Sequence, residues 1–212
     1  MPRISAAQRR QDFVRAAVEV IATHGIDGAT TRRIAEQAKA NLAMVHYCYD
    51  SKEDLFADVY EFVVGKFRDL TAAVDPQATV EQTAHKMLRD TMEYYVESPS
   101  FAVSALELIN WARRQHGSRG IELFDKALEG VRATLRAAAG ERPIDDETID
   151  AIASAIAFVA DGFAVSWITY GDRALAEKQM EIADSLLDSW LTARLGATNQ
   201  RATKRRRTAA SR

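Results

Sequence analysis

Between Thr30 and Lys52 the chain reads TTRRIAEQAKANLAMVHYCYDSK, two short stretches of helical periodicity joined by a tight turn at Lys39-Ala40-Asn41. One face is apolar and the other carries Arg, Thr, His, Tyr and Lys, the pattern of a helix-turn-helix. Ile34, Ala35 and Ala38 share a face of the first short helix, and Val45 and Tyr49 share a face of the second. Both faces need cover. The preceding segment offers it, because Phe13, Ala16, Ala17, Val20, Ile21 and His24 recur at the i, i+3, i+4 spacing of an amphipathic helix. Leu42, Ala43, Met44, His46 and Tyr47 are then left facing outward, free to enter a major groove of double-stranded DNA. A helical packing unit without any ligand is the plainer alternative.

The rest of the chain is also helical in period, with no strand alternation, so an all-α protein of about nine helices is expected. Helix 1 should run from about Ala7 to His24 and stop at Gly25. Thr30 and Asn41 are N-caps for helices 2 and 3. Ser51-Lys52-Glu53-Asp54 is a capping box with Asp in place of Glu, and it opens helix 4. Asp75-Pro76 ends that helix. Further helices are expected over about Val80–Glu97, Phe101–Gln115, Ser118–Ala139, Glu147–Tyr170 and Ala174–Leu195, punctuated by Pro99, Gly117, Gly140, Pro143 and Gly171. Three segments follow: 1–52 as a DNA-binding domain, 53–196 as a helical effector-binding and dimerisation domain with helix 4 as connector, and 197–212 as a disordered basic tail.

Charge supports a division of labour. The net charge is only −2, but residues 1–52 hold eight Lys/Arg against five Asp/Glu, and residues 201–212 hold six Lys/Arg and no acid. A basic reader and a basic tail set against an acidic body would orient the molecule on DNA with the body away from the phosphates. Cys48 is the only cysteine, which excludes an internal disulfide and a cysteine zinc site within one chain. No metal or other cofactor is expected. The longest apolar run, Ala151 to Ala160, stops at Asp161, short of the ~20 residues a membrane span needs. The start MPRISAAQRRQDF lacks the apolar core of a secretory signal. A cytoplasmic protein with no membrane partner is expected.

The N-terminal residues resemble the TetR family of bacterial one-component regulators, through Ala17, Gly25, Thr30-Thr31, Ile34-Ala35, Ala38, Tyr49 and Ser51-Lys52-Glu53-Asp54-Leu55. The resemblance covers roughly the first 60 residues at motif level; beyond them only length and helical layout agree. Two positions depart from it. Lys39 stands where the family usually has a turn glycine, so the turn either tolerates a side chain or accepts strain of ~1 kcal/mol. His46 stands where a phosphate-contacting tyrosine is usual. The resemblance implies that Thr31 and Lys52 clamp phosphates, with Tyr47 a third contact, which sets register and not sequence. It places Arg32 within reach of a base edge, and Arg is the side chain best suited to guanine O6 and N7. Leu42, Ala43 and Met44 bring no strong donor, so they read thymine methyls and groove shape. Arg33 is as well explained by a solvated helix face. Arg3, Arg9 and Arg10 would follow the DNA backbone or an adjacent minor groove, or simply solubilise the N-terminus.

One small reader touches too little DNA to be specific alone, so a two-fold homodimer is expected. The helix from Glu147 to Tyr170 is apolar on two sides and must be covered on two sides. Its stripe Ala155, Phe158, Gly162, Val165 and Thr169, with Leu187, Trp190 and Leu191 of the last helix, is the expected dimer interface, in the arrangement the family usually adopts. A small organic effector is the second expected partner. Apolar candidates to line its pocket are Met87, Tyr94, Tyr95, Phe101, Trp111, Phe124, Phe158 and Trp167, with Glu107, Asn110 and Asp161 as polar anchors. For each aromatic, plain core is the competing role. The expected mechanism is a repressor released from a palindromic operator when effector binds. An activator, a regulator switched by oxidation of Cys48, and a helical scaffold remain alternatives. No phosphate-binding glycine loop, H-E-x-x-H or nucleophile elbow is present, so no catalytic residues are expected.

Overall fold

The computed structural model describes residues 5–72, 75, 77–114 and 119–210, with side chains described except at 113, 119–124 and 197–210. Among them are nine α-helices and no strand: α1 (Ala6–Gly28), α2 (Thr31–Gln37), α3 (Leu42–Cys48), α4 (Lys52–Ala72), α5 (Val80–Glu97), α6 (Pro99–Arg114), α7 (Arg119–Ala139), α8 (Asp146–Tyr170) and α9 (Arg173–Ala210). The start signals are used as expected. The hydroxyl of Thr30 accepts from the Arg33 amide, and Asn41 Oδ1 accepts from the Met44 amide at 2.8 Å. The Ser51 hydroxyl accepts from the Asp54 amide while Asp54 Oδ2 accepts from the Ser51 amide, both at 3.1 Å, which is the reciprocal capping box. Within α1, Gly25 takes φ 67° and ψ 170°, a conformation glycine enters without steric cost, so the continuous helix stops at His24 and one more turn follows.

The helices form two compact units, residues 1–67 with 97–126 and residues 68–96 with 127–212. This partition differs from a single cut after residue 52, because α6 packs along α1. That contact extends the buried face of α1 to Val14 and Val18. It also buries Ser104, whose hydroxyl donates to the Val18 carbonyl at 2.7 Å. In the same unit Val45 and Tyr49 are buried as expected, with the Tyr49 ring set edge-on to Phe13 at 6.5 Å.

In the second unit Met87, Leu88, Met92, Leu135, Ile149 and Ile152 are fully buried. Helix α9 packs along α8 and turns Ala183, Leu187, Leu191 and Leu195 inward. Polar ties close the ends. Arg142 grips Glu81 through two nitrogens at 2.9 and 3.1 Å, which holds that carboxylate below its ordinary range. Asp184 of α9 receives both His85 and Arg89 of α5.

Two expectations change here. Counting the run Ala151–Ala160 alone understates α8, which over 25 residues, with mean hydropathy 1.8 in its most apolar window, is long and apolar enough to cross a membrane. Its apolarity has a different use in the fold: Ile149, Ile152, Ile156, Ala160 and Phe163 are buried within the chain while Phe158 and Val165 on the opposite stripe are not. The last helix does not stop near Leu195. It continues to Ala210 through a stretch with no proline, rich in Ala, Arg and Lys, which favour helix. The basic side chains Lys204, Arg205, Arg206 and Arg207 lie outside the described residues, as do Arg3 and the side chain of Phe124.

Candidate nucleic-acid interface

The three N-terminal helices present one exposed polar and apolar surface around α3. Leu42, Ala43, Met44, His46 and Tyr47 are all exposed, and Tyr47 is the most prominent at 77%. Val45 and Tyr49, on the other side of the same turns, are buried. A seven-residue helix with one side anchored and a whole side uncovered is a rigid probe, and its dimensions fit a major groove.

The turn before α3 settles the Lys39 question. Lys39 has φ 51°, the only positive φ at a non-glycine among the described residues, so the turn keeps the left-handed shape and the lysine bears the strain.

Arg32 and Arg33 take separate roles. Arg32 is 81% exposed, with Nε only within 3.8 Å of Glu36, a surface pair that costs little to break. Arg33 instead donates to the Gly28 carbonyl at 2.8 Å, closing the C-terminal end of α1, and so acts in structure. Thr31 is half-buried at the start of α2. Lys52 is more constrained than a free phosphate clamp: its ammonium donates to the Ile26 carbonyl at 3.3 Å and lies 4.8 Å over the Phe56 ring. Only part of its donor capacity faces outward.

Sequence reasoning missed how α3 is tied to α4. Arg10 Nε sits 3.0 Å from Asp58 Oδ2, its Nη1 donates to the Cys48 carbonyl at 3.1 Å, and its guanidinium lies 4.4 Å over the Tyr49 ring. The Tyr49 hydroxyl donates to the same Asp58 oxygen at 2.9 Å. One carboxylate of α4 therefore gathers α1 and the end of α3. Burial, reinforced by the bond to Asp58, drives the Tyr49 phenol well above its ordinary range, and the Asp58 bond raises Arg10. Arg10 is a strut, not an arm that follows DNA. An Arg and an Asp 48 residues apart carry no local signal that they meet. Cys48 is half-buried beside this strut.

The expected effector residues are divided between the two units. Phe101, Glu107, Asn110 and Trp111 fall in the first, and Met87, Tyr94, Tyr95, Phe158, Asp161 and Trp167 in the second. Met87, Tyr95 and Phe101 are core, at 0, 2 and 3% exposure. Phe101 packs against the rings of Phe62 and Phe67. Tyr94, Glu107, Trp111 and Trp167 are half-buried, and Asn110 is exposed. Phe158 is 69% exposed and lines nothing inside its own chain. Asp161 sits in apolar surroundings whose desolvation pushes its carboxyl up to about 6.

The expected dimer residues separate as well. Phe158, Gly162, Val165 and Thr169 of α8 are exposed and Ala155 half-buried along one stripe. Leu187 and Leu191 are buried within the chain, because they are the residues α9 turns toward α8. Trp190, the third residue expected on that helix, lies on its outward face with Ile182 and Leu186.

Residues 13–59, which span most of α1 and all of α2 and α3, match the family model described as bacterial regulatory proteins, tetR family. The chain is 29% identical over 194 residues to the HTH-type nicotine-responsive transcriptional repressor HdnoR of Paenarthrobacter nicotinovorans, covering 89% of this chain and 97% of that one. It is 31% identical over 126 residues to the HTH-type transcriptional repressor NicS of Pseudomonas putida, over 59% of this chain and 58% of that one. A crystal structure of a transcriptional regulator from Rhodococcus sp. Rha1 superposes with a TM-score of 0.71 at 19% identity, over 87% of this chain and 96% of that one.

Proposed function

The chain belongs to the TetR family of DNA-binding transcriptional regulators and is not an enzyme, and from that premise we propose that it is a homodimeric repressor that leaves a palindromic operator when a small organic effector binds. The observation that carries this reading is the uncovered side of α3, from Leu42 to Tyr47, on a helix whose other side is held by α1. Among the described residues of the first unit, none covers that surface. Arg32 beside it, held only by its loose surface pair with Glu36, supplies a strong donor for a guanine edge, Tyr47 and His46 reach phosphates, and Lys52 contributes what its tie to Ile26 leaves over.

Dimerisation draws support from the exposed apolar stripes of α8 and α9, which a second copy would cover. Gly162 lies in the α8 stripe, and a Cβ built there meets nothing within 4 Å. Its own chain gives no packing reason for a glycine, whereas close approach of a partner helix does. An effector response draws support from the nicotine-responsive repressor, which this chain matches along nearly its whole length. By linkage an effector that weakens operator binding must itself bind the operator complex more weakly by the same factor.

The test is binding to DNA flanking the protein's own gene, at several salt concentrations, with the full chain beside Arg32→Ala and Tyr47→Ala. Arg32→Ala should cost about 1–3 kcal/mol and relax selectivity at one base pair. Tyr47→Ala should weaken binding evenly across sequences. Binding that is weak and equal on every sequence would refute the repressor reading.

A further inference from the structure

The first unit contains a recess of about 220 Å³ beside α4 and α6, bordered by Glu53, Phe56, Tyr60, Glu61, Trp111 and Lys126. It is smaller than the ~300–1,000 Å³ of drug-sized pockets, so its guest is compact. Its walls are π surfaces: the Phe56 ring meets the Trp111 ring edge-to-face at 5.9 Å and 89°, and Tyr60 packs against the core pair Val64 and Ala112. Two carboxylates, Glu53 and Glu61, stand at its rim. Aromatic faces attract cations through the ring quadrupole, and the carboxylates repel anions.

A cation already occupies part of this environment. The Lys126 ammonium lies 5.9 Å from the Tyr60 ring centroid and 3.2 Å from Glu61 Oε1. Both partners of that ion pair are more than half exposed, 56 and 58%, so the contact is weak and easily displaced. Lys126 thus marks what the recess selects while holding it only loosely.

The wall is shared with the DNA-binding apparatus. The Phe56 ring, 2% exposed, carries the Lys52 ammonium at 4.8 Å, and Lys52 ties the start of α4 to the Ile26 carbonyl at the end of α1. We propose that this recess binds a compact organic ammonium, which takes the place of Lys126 at Tyr60 and Glu61 and loosens operator binding through Phe56 and Lys52. A cationic guest against Phe56 competes with Lys52 for the ring and repels it. The path from guest to the anchoring of the DNA-binding helices is then one side chain long. The coupling half of this inference rests on the regulator reading; the binding half does not.

Both halves are tested on the full chain with phenyltrimethylammonium and its uncharged isostere tert-butylbenzene, read by tryptophan fluorescence, with Trp111→Phe as the control that removes the reporter. The ammonium should give a saturable change at least tenfold tighter than the isostere, and Glu61→Gln should weaken it several-fold. Lys126→Met should tighten it several-fold, because it removes the internal competitor; a purely structural lysine would give the opposite sign. Equal binding of the isostere, or weaker binding in Lys126→Met, overturns the site. With the operator in hand, the ammonium should lower operator affinity at least tenfold in the parent chain and leave Tyr60→Leu unaffected. Guest binding without that loss overturns the coupling. Operator binding with no fluorescence response sinks the recess and leaves the repressor standing, whereas a response without any specific operator does the reverse.

Discussion

Asp161 is the residue at which burial and ionisation conflict most openly. Its carboxyl is pushed up to about 6 by desolvation inside α8, and it in turn helps raise the neighbouring Tyr95 phenol, whose main cause is burial. The unfolded carboxyl titrates near 3.9. Between these values the folded chain binds the extra proton, so the neutral carboxyl contributes stability that is present below about pH 4 and lost as pH rises through about 6. The ceiling on that loss is about 3 kcal/mol. Asp161→Asn should therefore raise the urea midpoint at pH 7 and change it little at pH 4; an equal effect at both pH values would show that ionisation is not the cause. The conflict was visible beforehand, since a carboxylate within an apolar helix needs an explanation. Its direction was not, because that depends on which neighbours surround it. Lys39 is the converse case: the missing glycine was legible, and the structure decided between a relaxed turn and a strained one.

At the scale of elements, the helices that carry their own punctuation were readable and their partners were not. Thr30, Asn41 and Ser51 each act locally as caps, within three residues of the amides they receive. The packing of α6 on α1 has no such local mark, and neither does the junction of Arg10, Tyr49 and Asp58. That junction has a consequence for α3. Remove the Asp58 carboxylate and the end of α3 loses its tie to α4 while Arg10 loses its counter-charge. Arg10 and Asp58 are 44 and 35% exposed, so solvent screening limits the cost of Asp58→Ala to about 1 kcal/mol. Operator affinity should nonetheless fall several-fold, because α3 then samples orientations that miss the groove. Chemical denaturation beside a DNA titration checks this. A stability loss with unchanged affinity would mean that α1 alone orients α3.

For the molecule as a whole the governing fact is how much apolar surface the two long helices leave uncovered. Phe158 and Val165 on α8, and Ile182 and Leu186 on α9, are each more than half exposed. Large apolar side chains at helical spacing on adjoining helices are a contiguous patch of the kind that marks an interface. The sequence showed that α8 needed cover on two sides. It could not apportion α9, where adjacent residues divide, Leu187 buried within the chain and Leu186 exposed. Phe158→Glu combined with Leu186→Glu should leave the monomer folded, since neither side chain is buried within it, and should place unpaired charges inside any two-fold contact at a cost of several kcal/mol. Sedimentation should show a dimer for the parent chain and a monomer for the double variant. Operator affinity should fall by at least 100-fold, because each copy would hold one half-site without its partner. Arg32→Ala, by contrast, should keep the dimer and lose selectivity. A double variant that stays dimeric with full operator affinity would move the two-fold axis off α8 and α9.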